Sequence, residues 1–349
     1  MRVVWLWAVL AGLLAALTGP SAAADSLARR GRELMREHPE IWTGAVILRG
    51  ERSLIVAARR PGLPARITLP DVAARPGAEA RFARPAAAGE ASGDGTAVVD
   101  DVSGTGGAAA FGGSGGGSPV PAGSAGSGVP GGEGDSRSRD LADLARRADR
   151  ASLVAGRLLG PVRPVILVPA TTEQAATLSA PASVTGLAAV AAVDSVIVEP
   201  AAFARLSAAG RDVVLTHEIT HIAAGAALDG RTPKWLVEGF ADYVGYRDSG
   251  IPVARAAAEL AEEVRAGRLP RELPGPGDFA AGSPRLAQAY EEAWLACRYV
   301  AERYGERALV ALYRAARGGD LSAALSRTLG TGPAGFTAAW RAYVQDRLR

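Results

Sequence analysis

The alternation of apolar and polar positions divides this chain into a sparse first part and a regular second part. Ser26 to Arg36 carries apolar residues at helical spacing, and Thr43 to Ala58 alternates around Arg49-Gly50-Glu51, which predicts a helix and then a hairpin. Residues 64–84 follow neither period. From Arg139 onward the pattern sharpens. Leu141, Leu144, Ala148, Leu153 and Ala155 predict a helix over about 140–158. Pro164 to Val168 predicts a short strand, Thr171 to Leu178 a threonine-capped helix, and Val193 to Val198 a second strand ending at Pro200. Helices are then expected at about 201–208, 211–226, 233–247, 251–267, 285–304, 306–317, 319–328 and 333–348.

Composition explains the gap between the two parts. The chain has 349 residues, more than one compact core usually occupies, and 17 of its 43 glycines fall between about residues 85 and 138. That stretch contains Gly112-Gly113-Ser114-Gly115-Gly116-Gly117 and has too few large apolar side chains to offset its ordering entropy, so a disordered linker or insertion is expected over 85–138. The expected organisation is residues 1–24 as a signal, 25–84 as a region of open fold, 85–138 as linker and 139–349 as the functional domain. A formal net charge of +3, from arginines scattered through alanine-rich helices, does not imply nucleic acid as a partner.

The N-terminus has the form of a secretory signal: Arg2, an apolar run from Val3 to Leu17, and Ala22-Ala23-Ala24 before Asp25. The expectation is a secreted, extracellular protein. The alternative is an uncleaved, membrane-anchored but extracytoplasmic form, against which the run falls short of the roughly 20 residues of a normal span. Cys297 is the only cysteine, so no intramolecular disulfide can form. It shares a helical stripe with Ala289, Ala293 and Val300, which predicts a buried thiol.

Candidate chemistry is concentrated in Thr216-His217-Glu218-Ile219-Thr220-His221. Two histidines four residues apart project from one helical face and can hold one ion, with Glu218 beside them as a general base. A zinc so held needs a third protein ligand and an open fourth position to activate water. Positions 224 and 227 are Ala224 and Ala227, which excludes the arrangement that places a third histidine shortly downstream. His38 lies far upstream, and Asp229 sits in Leu228-Asp229-Gly230-Arg231, where a solvated turn aspartate is expected. Glu238 is the better candidate. It lies in Thr232-Pro233-Lys234-Trp235-Leu236-Val237-Glu238-Gly239-Phe240-Ala241-Asp242-Tyr243, with Thr232 expected to cap a helix and Pro233 to occupy its first turn. Glu238 and Asp242 share a face of that helix, so one can bind metal while the other accepts from a ligating histidine, for which His217 is the expected partner. The surrounding Trp235, Leu236, Phe240 and Tyr243 argue that the helix is buried.

These residues, His217-Glu218-Ile219-Thr220-His221 followed by Trp235-Leu236-Val237-Glu238-Gly239-Phe240-Ala241, resemble the gluzincin metallopeptidases, and among them the peptidase MA-like group. The resemblance implies one Zn2+ per chain on His217, His221 and Glu238, with Glu218 as the base. It also implies an α+β fold of thermolysin-like type, a small mixed sheet packed with the metal helix and followed by a mainly helical half. It covers about residues 139–349. Ala289-Tyr290-Glu291-Glu292-Ala293, Tyr304-Gly305-Glu306 and Phe336 to Trp340 are similar to that group's helical tail. Sixteen residues separate His221 from Glu238, slightly fewer than in aminopeptidase-type gluzincins.

The expected activity is hydrolysis of peptide bonds in a peptide or protein substrate by metal-activated water. Glu218 passes the proton to the leaving amine, and a phenol stabilises the oxyanion: Tyr290, ahead of Tyr243 and Tyr246. Val193 to Val198 could offer a sheet edge to an extended peptide. The competing reading is a catalytically inactive exported zinc-binding or scaffold domain, with Cys297 as a fourth ligand closing the site.

Overall fold

The structure, a computed structural model, describes residues 20–59, 132–180 and 187–349, with side chains described from Asp25 and from Ser136 in the first two stretches. Most of the signal segment, residues 64–84 and residues 85–131 of the expected linker lie outside the described residues. The last seven residues of that linker, 132–138, are instead the opening turns of a long helix. The fold is mixed α+β, with thirteen helices and one five-stranded sheet among the described residues.

The chain opens with α1 (Pro20–Glu37) and the single turn α2 (Pro39–Trp42), then the hairpin β1 (Val46–Arg49) and β2 (Leu54–Ala57). Next come α3 (Gly132–Leu159), β3 (Val165–Val168), α4 (Thr172–Ser179), β4 (Ala189–Ala191), β5 (Ser195–Val198) and α5 (Pro200–Arg205). The remainder is helical: α6 (Ala208–Ala224), α7 (Lys234–Tyr246), α8 (Val253–Ala256), α9 (Ala258–Arg265), α10 (Leu286–Tyr304), α11 (Glu306–Ala316), α12 (Leu321–Leu329) and α13 (Pro333–Leu348).

The sheet order is β1-β2-β3-β5-β4, antiparallel at both outer pairs and parallel for β2-β3 and β3-β5. β5 is therefore an inner strand, and the edge next to it is β4, a three-residue strand that the sequence pattern did not predict. The hairpin is fixed from outside. Asp149 on α3 accepts from the N–H groups of Glu51 and Arg52 at 2.7 and 2.8 Å and from the Ser53 hydroxyl at 2.8 Å.

Strand alternation sorts the core onto two faces. Ile55, Ala57, Ile166, Val196 and Val198 join the large cluster with α3, α6, α7 and α10, while Leu54, Val56, Val165, Leu167 and Ile197 pack beneath Leu27, Leu34, Ile41 and Trp42 of α1 and α2. Each fully buried aliphatic contributes roughly 1.5–3 kcal/mol, so both faces matter to stability.

The helix expected over 251–267 is two helices. Ala257, at φ −125° and ψ 51°, leaves helical geometry, and the freed N–H of Leu260 donates to the Glu291 carboxyl of α10 at 2.6 Å. Close approach elsewhere depends on glycine. A Cβ at Gly239 would lie 2.1 Å from the Ala293 carbonyl oxygen, and one at Gly245 would lie 3.0 Å from that of Val213, so these positions let α7 sit tightly between α10 and α6.

Candidate metal centre

Helix α6 begins at Ser207, whose hydroxyl accepts from the Gly210 N–H at 3.1 Å, and ends at Gly225, whose φ of +66° suits a residue without a side chain. The chain then folds back through a 3-10 turn (Ala226–Leu228) and the Asp229 turn into α7. This return places the second helix against the first, with Glu238 facing the two histidines.

His217 Nε2, His221 Nε2 and Glu238 Oε2 converge. The two nitrogens are 2.9 Å apart, and each lies 3.4 Å from the carboxylate oxygen. Neighbouring ligands of a tetrahedral ion with bonds of roughly 2.0–2.1 Å stand roughly 3.3–3.4 Å apart, so the two sides that meet at Glu238 match one face of such a site, while the histidine pair at 2.9 Å stands closer than an ion would hold it. His217 Nδ1 lies 2.8 Å from Asp242 Oδ1, so it is Nε2 that faces the group. This buried group of His217, His221 and Glu238 can hold a metal ion.

Glu218 lines the same cleft, and its Oε2 accepts the backbone N–H of Ala191 on β4 at 2.7 Å. Burial lifts its pKa above the ordinary carboxylate value, against the pull of both histidines. Burial acts the same way on Asp242, which is raised despite its bond to His217. Glu238 goes in the other direction. Burial opposes ionisation, but His221, His217 and Lys234 together hold it well below the usual range. His217, desolvated yet paired with Asp242, is raised well above an ordinary imidazole.

No family model, curated protein or solved structure matches this chain.

The cleft has a volume of about 600 Å³ and runs from β4 past the histidines to the 226–234 return and Tyr290. Of the three candidate phenols, Tyr290 alone lines it; Tyr243 donates to Glu306 Oε1 at 2.8 Å, and Tyr246 packs on Trp294 at 4.9 Å between ring centroids. Burial pushes the Tyr290 hydroxyl well above its ordinary pKa, as do the nearby carboxylates, so it stays a donor. Cys297 is fully buried and does not join the converging group. His38 sits apart, 3.3 Å from Glu40.

Two expectations about the return segment are corrected. Asp229 is not solvated: its side chain is 5% exposed and lies 3.2 Å from Arg317 Nε. Thr232 does not cap α7, because its hydroxyl donates to Asp229 Oδ2 at 2.6 Å and Pro233 stands at the cap position.

Sequence reasoning also missed two contributors. Lys234 Nζ lies 2.6 Å from Glu238 Oε1, a contact that the four-residue spacing on one helix could have revealed. The Ala191 N–H that holds Glu218 had no sequence signal, because nothing in Ala189-Val190-Ala191 marks a strand beside a metal helix.

Proposed function

We propose that the chain is a zinc-dependent peptidase of the gluzincin kind, with thermolysin-like catalytic architecture, that cuts extended peptides. The observation that carries this reading is the convergence of His217, His221 and Glu238 in a cleft that also contains Glu218 but no fourth protein ligand among the described residues. A structural zinc would be closed by four protein ligands. Zinc bound by these three side chains would bring the pKa of its water toward neutrality and polarise a substrate carbonyl.

The chain's own residues supply the rest. Glu218, held by Ala191, takes the proton from water and returns it to the leaving amine. Its burial suits that role, since a carboxylate raised from its ordinary pKa is a stronger base. Asp242 keeps His217 in the tautomer that presents Nε2, and Lys234 fixes the Glu238 carboxylate through the oxygen that does not face the histidines. Tyr290 donates its hydroxyl to the oxyanion. Along β4, Ala192 N–H bonds to Ser195 and Ala188 C=O to Glu199, so Ala189 turns both its backbone groups, and Ala191 its C=O, to the outer edge, where an extended peptide can add, while the Ala191 N–H on that side is taken by Glu218.

The test is zinc content by mass spectrometry on the full chain, its Glu238→Ala variant and its Glu218→Gln variant, with cleavage of an unstructured quenched peptide measured alongside. One zinc per chain in the wild type and in Glu218→Gln, little in Glu238→Ala, and chelator-sensitive cleavage by the wild type alone are expected. Zinc without cleavage would replace this reading with an exported zinc-binding domain; no zinc in any of the three would remove it. Export rests on the sequence of residues 1–24, and N-terminal sequencing of the protein from its host tests whether the chain begins at Asp25.

A further inference from the structure

The cleft carries charge that neither the metal ligands nor the base account for. Among its acidic groups, Glu238 and Glu218 belong to the proposed chemistry, and Asp229 is engaged within its own turn. Asp229 Oδ1 accepts from the N–H groups of Arg231 and Thr232 at 3.1 and 3.3 Å, while Oδ2 accepts the Thr232 hydroxyl and faces Arg317. Against burial, those hydrogen bonds and Arg317 hold its pKa below the ordinary value, so it is an anion already satisfied by its own turn and Arg317.

The two cations that line the cleft, Arg231 and Lys234, are not engaged in this way. Arg231 is exposed, and no carboxylate pairs with its guanidinium among the described residues. Its stem is supported by Gly319: a Cβ there would meet Arg231 Cβ at 3.6 Å and Cδ at 3.7 Å, so the arginine runs where a side chain would otherwise stand. Lys234 is 46% exposed and reaches Glu238 with one donor, leaving others to the cleft. It also begins α7, whose first N–H groups have no side-chain cap and add partial positive charge on the same side.

We propose that Arg231 and Lys234 form a carboxylate-recognition element in this cleft, so that it favours peptides presenting an acidic side chain or a terminal carboxylate beside the bond to be cut. The substrate role rests on the peptidase reading above, whereas the recognition is a binding property that can be measured without turnover. The arginine fork pairs with both oxygens of a carboxylate, while the lysine, already shared with Glu238, contributes a point charge. Arg231 therefore carries the larger share.

Four labelled peptides of one unstructured sequence test this on the full chain: internal Glu with an amidated end, internal Gln with a free acid end, internal Gln amidated, and internal Lys amidated. Binding by fluorescence anisotropy is measured without zinc, and cleavage with zinc. One or both carboxylate peptides should bind and be cut about fivefold better than the neutral one, with the lysine peptide weakest. Preference for the first peptide identifies an acidic side chain, and preference for the second a terminal carboxylate. Arg231→Gln should bring the preference to within about twofold, Arg231→Glu should invert it toward the lysine peptide, and Arg157→Gln, on α3 outside the cleft, should retain it. Equal binding and cleavage of all four would overturn the proposal while leaving the peptidase standing. Carboxylate-dependent binding with no cleavage of any peptide would keep the proposal and remove the peptidase.

Discussion

Asp242 touches no ligand-binding space, yet its oxygen 2.8 Å from His217 Nδ1 decides which imidazole nitrogen faces the metal group. Asp242→Asn preserves volume and an acceptor while removing the charge that fixes the tautomer and strengthens His217 as a donor to metal. Zinc affinity should fall about ten- to a hundredfold, read by competition with a chelator of known affinity; unchanged affinity would reduce Asp242 to a packing residue. Helical spacing made two pairs legible in the sequence, His217 with His221 and Glu238 with Asp242, and the need of a ligating histidine for an acceptor on its other nitrogen pointed from Asp242 to His217. The same spacing applied to Lys234 and Glu238. It offers nothing across elements, and so the Ala191 N–H that holds Glu218 had to be seen in the fold.

At the scale of elements, most helices were legible from periodicity and capping, and the exceptions have local causes. β4 is three small residues whose strand character comes from pairing with β5, and the break between α8 and α9 exists because Glu291, on a different helix, accepts the Leu260 N–H. Burial, with Glu259 nearby, pushes the Glu291 carboxyl up to about 10 from an ordinary 4.5. It is therefore protonated when folded and ionised when unfolded across that window. Its contribution to stability is complete below about pH 4.5 and is lost as pH rises toward 10, at up to roughly 1.4 kcal/mol per pH unit. Glu291→Gln keeps the acceptor and removes the titration. Melting curves with chelator present, from about pH 6 to about pH 9, should fall less steeply for the variant, which should be the more stable protein at the alkaline end; parallel curves would refute the assignment. Packing between α7 and α10 is equally local. Gly239→Ala drives a methyl to 2.1 Å from the Ala293 carbonyl oxygen, against 3.0 Å to Val213 for Gly245→Ala. Urea unfolding should show a loss of about 1–3 kcal/mol or more at position 239 and less at 245.

At the scale of the molecule, the strand order was the part least accessible from sequence, because pairing across distant segments leaves no mark in local period. The resemblance covered residues from 139 onward, but the sheet does not begin there. β2 lies beside β3 in parallel register, Leu54 N–H donates to the Pro164 carbonyl at 3.1 Å, and Ala58 N–H donates to that of Val168 at 2.8 Å. Removing residues 1–138 would leave β3 with an open hydrogen-bonding edge. It would also strip Leu27, Leu34 and Trp42 from Val165, Leu167 and Ile197, and take the opening turns of α3. An exposed apolar strand edge above an uncovered apolar face is a template for association. The fragment 139–349 should therefore aggregate or lose near-ultraviolet circular dichroism under conditions where the chain from Asp25 stays folded, with poor zinc retention because β4 and α6 are anchored on the same sheet. A fragment that elutes as a discrete species, melts at the temperature of the longer chain and keeps one zinc would show that the N-terminal hairpin only decorates the sheet and that the metal centre is built entirely downstream of it.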